Sequence, residues 1–363
     1  MSISLMLPRP WTPKPKEPRI IPAPSEASFV AAFGQLLPKA QYLCTSDGTA
    51  AYYELPPSCP APTALTRPIS RVLFVHGVQT PAIGLQPLAG ALSSRFPHAQ
   101  CVLVDLWGHG LSDTPVVAHE PALFHGLIKG LMVKLGWNDA HFLGYSFGGS
   151  TTASFAALNP ESVSSMVLVA PAGLWSSADF DEAEKGYLKG GEGLEDQARS
   201  WVVDLLEGGK LDVPVDWKER VARGEVVAEA VRDVSVDTRF LSFRSQPVRA
   251  KLLCVAGLTM KEWQTKQHQG HTASVVGIFR DGGVLDRQAE FAQAAKQNIE
   301  TLCILGELDD VCSLNDLQQV GMHNVAVVPQ AGHGVVRQRV PEVAWRIEEF
   351  WSTLQEAKSS VPI

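Results

Sequence analysis

A serine, an aspartate and a histidine that lie far apart in the chain have the types and the order required for nucleophilic catalysis. Ser146 lies in GYSFG (residues 144–148), at the end of an apolar run. A serine hydroxyl is a poor nucleophile until a base takes its proton and an acid orients that base. Asp309, in GELDD, and His333, in QAGH, each follow a later apolar run and can supply these two groups. The three residues predict attack by Ser146 on an acyl carbon, with proton transfer to His333.

The glycines around Ser146 indicate how its hydroxyl is presented. A serine on a tight strand-to-helix turn has a strained backbone, and the residues two positions away must then be small. Gly144 and Gly148 meet this requirement, and Gly149 lets the following helix approach the strand. The alternative is that Ser146 only caps the helix, which is the usual role of serine at a helix start. The apolar run before the motif and the helical pattern after it favour the catalytic interpretation.

The acid and the base each have competing interpretations. Glu307 and Asp310 lie in the same turn as Asp309, so the residues alone leave the identity of the acid open. His333 could be a buried loop histidine, but its position between Gly332 and Gly334 favours catalysis.

Other polar residues near glycine-rich turns are predicted to be structural, because short polar side chains commonly hold turns together. These are Asp105 and Asp113, together with His76 and His109, for which lining the pocket is the alternative. His268 and His271, in QHQGH, suggest a metal site, but no carboxylate or cysteine lies at a matching spacing. We therefore predict no metal. No phosphate-binding glycine loop or dinucleotide fingerprint is present, so we predict no cofactor.

Apolar runs separated by helical patterns must position the catalytic groups. The runs cover residues 71–77, 101–110, 141–146, 165–171, 301–307 and 324–330, and the helical patterns cover 121–137, 151–161 and 341–358. Runs that are apolar on both faces predict central parallel strands covered by helices. Asp47-Gly48, within residues 42–55, predicts a hairpin. We expect an α/β fold with a doubly wound, mostly parallel sheet, in which ligands bind at the carboxyl ends of the strands.

Changes in composition and in the strand–helix pattern along the chain predict four regions. Residues 1–40 form a proline-rich N-terminal arm, 41–175 the first part of the core, 176–270 a helical cap inserted after a central strand, and 271–363 the second part of the core. The cap interrupts the strand–helix alternation and is rich in aromatic residues, most of which we expect to pack within it. These are Trp175, Phe180, Tyr187, Trp201, Trp217, Phe240, Phe243 and Trp263.

The motifs together resemble the α/β-hydrolase superfamily over residues 42–175 and 271–358, within its serine-nucleophile, cap-bearing, esterase- and lactonase-like branch. LFVHG is similar to that family's strand ending in His-Gly, and DLWGHGLSD (residues 105–113) to its D-x-x-G-x-G-x-S-D segment. GYSFGG matches its nucleophile turn, GELDD its acid turn and QAGH its histidine turn. Dehalogenating and epoxide-opening relatives carry aspartate at the position of Ser146, so those activities are disfavoured.

The resemblance implies a role for each residue of the site. Ser146 is the nucleophile, Asp309 the acid and His333 the base, and the family's spacing from Gly306 selects Asp309 over its neighbours. The oxyanion hole corresponds to the backbone amides of Val78 and Phe147.

Composition restricts the partners. The chain has 363 residues and a net charge of −7, and it has no dense basic run, which argues against nucleic-acid binding. No apolar run is long enough to span a bilayer. Six cysteines without a CxxC pair predict free thiols, Cys101 and Cys303 being buried, and a cytoplasmic location. The expected partner is a small-molecule substrate, and the oligomeric state is left open.

The favoured hypothesis is a serine hydrolase that cleaves an ester or lactone of a small, fairly apolar molecule through an acyl-enzyme on Ser146. One alternative uses the same three residues for C–C bond hydrolysis, acyl transfer or a lyase step, because one fold supports many reactions. Another alternative is a ligand-binding receptor with slow or vestigial hydrolysis.

Overall fold

An eight-stranded, mostly parallel sheet forms the centre of the molecule. The computed structural model describes residues 5–13, 16–17, 19–60, 68–191, 193–207 and 260–357. The strands of the sheet are β2 (Gln41–Thr45), β3 (Gly48–Leu55), β4 (Arg71–Val75), β5 (Gln100–Val104), β7 (Ala140–Tyr145), β8 (Val163–Val169), β9 (Thr301–Gly306) and β10 (Val325–Val328). Their order is β10-β9-β8-β7-β4-β5-β3-β2, and only the pairings β5–β3 and β3–β2 are antiparallel. The predicted α/β fold with a mostly parallel sheet is confirmed.

Helices cover both faces of this sheet. They are α1 (Glu26–Phe33), α2 (Gln86–Arg95), α3 (Pro121–Leu135), α4 (Phe147–Leu158), α5 (Glu182–Lys189), α6 (Glu195–Glu207), α7 (His271–Gly277), α8 (Gln288–Ala295), α9 (Leu314–Gln319), α10 (Val335–Gln338) and α11 (Val340–Ala357). Residues 260–267 are also helical and are called the return helix below. A π-helical turn, Ile278–Gly282, follows α7.

Side chains alternate between the two faces of the strands, as the pleat of a sheet requires. Leu73 and Val75 of β4 pack with residues of α3, α4 and α8, whereas Val72 and Phe74 pack with residues of α2 and α11. All four side chains are almost fully buried. The sheet is therefore enclosed on both faces, which explains why its central strands are continuous apolar runs.

One strand differs from the prediction. The apolar run at residues 324–330 predicts a central strand, but among the described residues β10 pairs only with β9 and lies at the edge of the sheet. Val327 is 40% exposed there. Apolar composition predicts a strand correctly but does not reveal how many neighbours the strand has.

The predicted hairpin is present, and the N-terminal segment contacts several parts of the fold. β2 and β3 are joined at Asp47-Gly48. A short strand, β1 (Ile20–Ile21), pairs antiparallel with β6 (Thr114–Pro115) outside the main sheet. Further towards the N-terminus, Arg9 contacts the π-helical turn through Asp281. The division of the chain into an arm, two core parts and a cap stays a prediction.

The described part of the predicted cap holds α5, α6 and the return helix. The ring of Phe180 contacts those of Trp175 and Trp201, and the ring of Trp201 also contacts those of Tyr187 and Phe279. The predicted packing role of these four aromatic residues is confirmed. Trp263 instead packs against Phe29 and Phe33 of α1. Trp217, Phe240 and Phe243 lie outside the described residues.

The structure also bears on the predicted free thiols and on the predicted lack of a membrane-spanning segment. Five cysteines in the described ranges are unbonded, and Cys101 and Cys303 are buried in β5 and β9 as predicted. The cytoplasmic location stays a prediction. Among the described residues, no helix has the length and apolar character needed to cross a membrane.

A prediction concerns Arg9, whose guanidinium joins the N-terminal segment to the α5 end. Its Nε and Nη2 donate to the two carboxylate oxygens of Asp281 at 2.8 and 3.1 Å, and it also donates to the carbonyls of Leu188 and Lys189. The Asp281 side chain is only 8% exposed. Arg9→Ala leaves that carboxylate without its cation, so we expect a loss of about 2 kcal/mol in the free energy of unfolding. Urea denaturation measures the loss, and an unchanged midpoint would contradict the prediction.

Candidate active site

Ser146 occupies a strained turn between β7 and α4. Its φ of 53° and ψ of −120° lie in a region that non-glycine residues rarely occupy. The carbonyl of Ser146 accepts hydrogen bonds from the amides of Gly149, Ser150 and Ala172, and its own amide donates to Val169 of β8. The side chain makes no capping hydrogen bond to α4. The helix-cap interpretation of Ser146 is therefore wrong, and the backbone holds the hydroxyl clear of the helix.

The glycines of this turn are required by contact with neighbouring backbone. A Cβ on Gly148 would overlap the carbonyl oxygen of Val75 and lie 2.6 Å from that of His76. A Cβ on Gly144 would overlap the carbonyl oxygen of Gly148. These are positions at which no side chain fits, as the spacing around Ser146 predicts.

The fold brings Ser146, His333 and Asp309 together from three strand ends. The Nε2 atom of His333 lies 3.0 Å from Oγ of Ser146. Its Nδ1 atom lies 3.2 and 3.3 Å from the two carboxylate oxygens of Asp309. β7, β9 and β10 run parallel, so the residues that follow them meet at one edge of the sheet.

Asp309 has a more enclosed carboxylate than its competitors. Its side chain is fully buried, and Oδ1 accepts hydrogen bonds from the amides of Val311 and Cys312 at 2.9 and 3.2 Å. Glu307 is exposed and accepts from the amide of Gln330, and Asp310 is also exposed. Of the three acidic residues in this turn, only Asp309 contacts His333 within the described part of the chain.

The turn after β4 runs directly beside Ser146. A Cβ on Gly77 would lie 2.8 Å from Cβ of Ser146. Val78, whose amide the family resemblance implies as an oxyanion donor, is the next residue of this turn. The amide of Thr80 bonds to the carbonyl of Gly77 at 3.4 Å, which closes a four-residue turn, called the oxyanion turn below (residues 77–80). Phe147 is the first residue of α4, where the helix supplies no partner for its amide.

Two buried histidines hold the backbone of the oxyanion turn. The Nε2 atom of His76 accepts from the amide of Leu106 at 2.9 Å, so its Nδ1 carries the proton donated to the Gly77 carbonyl at 2.7 Å. In the same way, Nε2 of His109 accepts from the amide of Gln79 at 3.1 Å. Burial lowers the pKa of His76 to about 4 and that of His109 well below its usual range. Both are neutral structural residues, as predicted.

The two aspartates of the DLWGHGLSD segment are structural as well, since each carboxylate accepts hydrogen bonds from nearby groups. Asp105 accepts from the amides of Ala82 and Leu111 and from the Tyr53 hydroxyl. Asp113 accepts from the amides of Ala23 and Thr49. Both aspartates thus fasten loops to the sheet.

A stripe of buried polar side chains joins the return helix and α7 to the segment after β5. The stripe consists of Gln264, His268, His271 and Ser274, none of which is more than 2% exposed. His268 donates to the carbonyl of Ser112, His271 to that of Gly108, and Ser274 contacts that of Trp107. Within the described ranges, no group of three or more potential metal ligands exists. The two histidines of QHQGH therefore bind backbone carbonyls.

Gln264 and Ser274 are the two members of this stripe that sequence reasoning missed, and Gln264 is the one that contacts the oxyanion turn. Its Nε2 donates to the carbonyl of Gln79 at 3.0 Å, and its Oε1 accepts from the amide of Gly110 at 2.8 Å. The spacing of residues 264, 268 and 271 places these polar groups on one face of a helical segment, which was the available signal.

A cavity of about 370 Å³ lies next to the oxyanion turn. Its walls combine the apolar side chains of Val203 and Val275 with hydroxyl and charged groups. Gln79, a residue of the oxyanion turn, also lines it. This volume lies within the range of pockets that hold small organic molecules.

Comparisons with known proteins agree with this architecture. A family model described as "alpha/beta hydrolase fold" matches residues 71–335. The 2-(acetamidomethylene)succinate hydrolase of Mesorhizobium japonicum is 31% identical over 145 residues, which are 40% of this chain and 50% of that protein. The 2-hydroxy-6-oxo-6-phenylhexa-2,4-dienoate hydrolase of Comamonas testosteroni is 39% identical over 77 residues, 21% of this chain and 27% of that protein. The chain spans half or less of the length of these curated relatives.

Among solved structures, the enol-lactonase from Burkholderia xenovorans superposes with a TM-score of 0.56. The match covers 86% of this chain and 100% of that one at 16% sequence identity. At this identity, the similarity shows a shared fold.

A prediction follows from the close contacts of Gly148. Gly148→Ala forces the added methyl group against the β4 carbonyls, so we expect a loss of at least about 3 kcal/mol in the free energy of unfolding. Gly126→Ala is the control, because Gly126 is exposed within α3 and a Cβ there meets nothing within 4 Å. That change should stabilise the protein by about 0.5–1 kcal/mol. Chemical denaturation measures the free energy of unfolding of both variants, and equal changes in the two would contradict the prediction.

A second prediction concerns pH. Burial lowers the pKa of His76 and His119 to about 4 and that of His271 to about 3. An unfolded histidine titrates near pH 6.5, so below about that pH the unfolded chain binds more protons than the folded chain. Their stabilising contribution is complete above pH 6.5 and is lost as the pH falls towards 4, by up to about 1.4 kcal/mol per pH unit for each histidine. Burial raises the pKa of Asp105 to about 6, so this carboxyl group stabilises the folded state as the pH falls. It is one group against three histidines and therefore offsets only part of their loss.

Urea denaturation between pH 7 and 4.5 measures this slope. His271→Gln removes one titrating group while keeping a donor for the carbonyl of Gly108, so its slope should be shallower than that of the wild type. A stability that does not change over this pH range would contradict the prediction.

Proposed function

The chain belongs to the α/β-hydrolase fold family, and we propose that it is a serine hydrolase that cleaves an ester or lactone of a small molecule. The observation that carries the proposal is the continuous set of contacts from Ser146 through His333 to Asp309. A strained serine with this geometry matches the arrangement in which a serine is made nucleophilic.

Acylation begins with attack of the Ser146 oxygen on the carbonyl carbon. Nε2 of His333 takes the hydroxyl proton, across the 3.0 Å contact, as the new C–O bond forms. Asp309 holds the Nδ1–H of the ring and stabilises the resulting imidazolium, without taking that proton itself. The full burial of the Asp309 carboxylate strengthens this electrostatic contact.

The tetrahedral intermediate requires donors for the negative charge on the former carbonyl oxygen. We assign this role to the backbone amides of Val78 and Phe147, which flank Ser146 from the oxyanion turn and from the first position of α4. Removal of one such donor typically costs about 3 kcal/mol of transition-state stabilisation. Because the oxyanion turn and the helix are held by buried groups, the amides need not reorganise during the reaction.

Collapse of the intermediate completes the cycle in two steps. The C–O bond to the alcohol breaks, and His333 returns its proton to the departing oxygen. Water gives a proton to His333 as it attacks the acyl carbon. The bond from that carbon to the Ser146 oxygen then breaks, and His333 returns the proton to this oxygen, which releases the acid and restores Ser146. In a lactone the alcohol and the acid leave as one molecule. No cofactor takes part in this sequence.

The substrate is inferred from the cavity beside Gln79. Its volume of about 370 Å³ suits a small molecule, and two valines in its wall accept an apolar portion. The same wall carries hydroxyl groups of Ser200, Thr265 and Thr272, which can orient polar atoms of the substrate. We propose an ester or lactone with an apolar portion and several polar groups, because Arg199 and Asp204 line the same cavity.

C–C bond hydrolysis is a second candidate. The Comamonas testosteroni relative is named for hydrolysis of 2-hydroxy-6-oxo-6-phenylhexa-2,4-dienoate, a molecule without an ester, lactone or amide. Hydrolysis of that molecule must therefore break a carbon–carbon bond. The same serine, histidine and aspartate would serve that reaction if the substrate carbanion received a proton.

The test compares variants of the serine and of the acid. We expect a fluorophosphonate probe to label the wild type but not Ser146→Ala. Asp309→Asn should lower kcat by about 10³- to 10⁴-fold, because the histidine loses its orienting carboxylate. Asp310→Asn is the matched control and should keep kcat, since Asp310 is exposed and lies one residue further along.

A panel of p-nitrophenyl esters and lactones, together with a vinylogous diketone, separates the two candidate reactions. Turnover of esters or lactones supports the proposal, whereas turnover of the diketone alone supports C–C hydrolysis. Absence of both labelling and turnover, with stabilisation by a bound ligand, would indicate a receptor and overturn the proposed function.

A further inference from the structure

The oxyanion turn is held through three consecutive peptide groups. His76 donates to the carbonyl of the Gly77–Val78 peptide, and His109 accepts from the amide of the Val78–Gln79 peptide. Gln264 donates to the carbonyl of the Gln79–Thr80 peptide. Each peptide plane of the turn therefore has a buried side chain that fixes its orientation.

The backbone of this turn needs such support. Gln79 has a φ of 62°, a left-handed conformation that ordinarily favours glycine or asparagine at this position of a turn. A residue held there relaxes when the contacts that hold it are removed. The Val78 amide lies one residue away, so relaxation at Gln79 changes the direction of the proposed oxyanion donor.

Gln264 comes from a different part of the chain than the two histidines. His76 and His109 follow β4 and β5, so they belong to the same part of the sheet as the turn. Gln264 lies 185 residues after Gln79, in the return helix, and is completely buried. Its second contact, with the amide of Gly110, ties the oxyanion turn to the loop that carries His109.

The two contacts of Gln264 also fix which way its amide points. Gln79 offers a carbonyl and Gly110 offers an N–H, so the side chain must donate with nitrogen and accept with oxygen. A carboxylate cannot donate, and an apolar side chain can do neither. The site thus requires an amide of this length.

We propose that Gln264 is a positioning residue for hydrolysis, which aligns the Val78 amide with the developing oxyanion through the carbonyl of Gln79. This inference rests on the proposed function and adds to it a residue from outside the oxyanion turn. Small displacements matter here, since misplacement of a catalytic group by about 1 Å can lower the rate by about a hundredfold.

The experiment compares Gln264→Met with Ser274→Ala in the full chain. Methionine has nearly the same length and volume as glutamine but removes both hydrogen bonds. Ser274 is equally buried on the same polar stripe and bonds to Trp107 and His119, and among the described residues it makes no hydrogen bond to the oxyanion turn. The readouts are kcat and KM on a p-nitrophenyl ester, the inhibition constant of an arylboronic acid, and Tm.

We expect Gln264→Met to lower kcat by about ten- to a hundredfold while KM changes by less than about threefold. A boronate bound to Ser146 places an oxygen in the oxyanion position, so its inhibition constant should rise by about the factor by which kcat/KM falls. Ser274→Ala should lower Tm but keep kcat and boronate affinity within about threefold of the wild type, because its lost contact lies away from the turn.

Three results would overturn the inference. They are wild-type kcat in Gln264→Met, a loss confined to KM, and equal losses of kcat in both variants. If Gln264→Met does not fold, Gln264→Asn serves instead, because a side chain one methylene shorter cannot span both partners. A wild type that neither binds the fluorophosphonate nor turns over esters refutes the proposed function itself, whereas the three results above leave it standing.

Discussion

The backbone strain at Ser146 is the constraint on which the arrangement of the site depends. A φ of 53° at this residue is tolerated because three backbone amides donate hydrogen bonds to the Ser146 carbonyl. In addition, the Ser146 amide donates a hydrogen bond to the carbonyl of Val169 in β8. These contacts are possible only if β7, β8 and β4 lie side by side, with glycine at the points of closest approach. The central sheet and the nucleophile turn therefore require one another.

The histidines show how environment decides what one side chain can do. His333 has a 25% exposed side chain and a carboxylate partner, which suits a group that must gain and lose a proton. His76, His109 and His271 are buried and bind backbone groups instead. A protonated ring at those positions would lack both water and a counter-ion, so the neutral form holds the loops in place.

The sequence predicts the strands well and singles out the three polar groups of the candidate site, because both signals are local. A continuous apolar run marks a strand enclosed on two faces, and Ser146, Asp309 and His333 each lie within a few residues of such a run. The edge position of β10 was not predictable in this way, because it depends on which strands pair. Gln264 was missed for a related reason, since its partner Gln79 lies 185 residues earlier in the chain.

The same locality explains why the predicted cap is the part least determined by sequence. Its aromatic residues predict packing, and four of them do pack against one another. Which of its side chains would face a substrate depends on how its helices are set against the core, which no local pattern records.

Because β10 lies at the edge of the sheet, the proposed base is supported by a less stable strand than the proposed nucleophile. In the described part of the chain, β7, which precedes Ser146, has a strand on each side, whereas β10, which precedes His333, has a strand on one side only. Peripheral elements open at lower free energy than central ones. Gentle warming should therefore release the imidazole from its neighbours while the serine turn is still ordered, so that inactivation begins as a local event at the rim before the fold is lost.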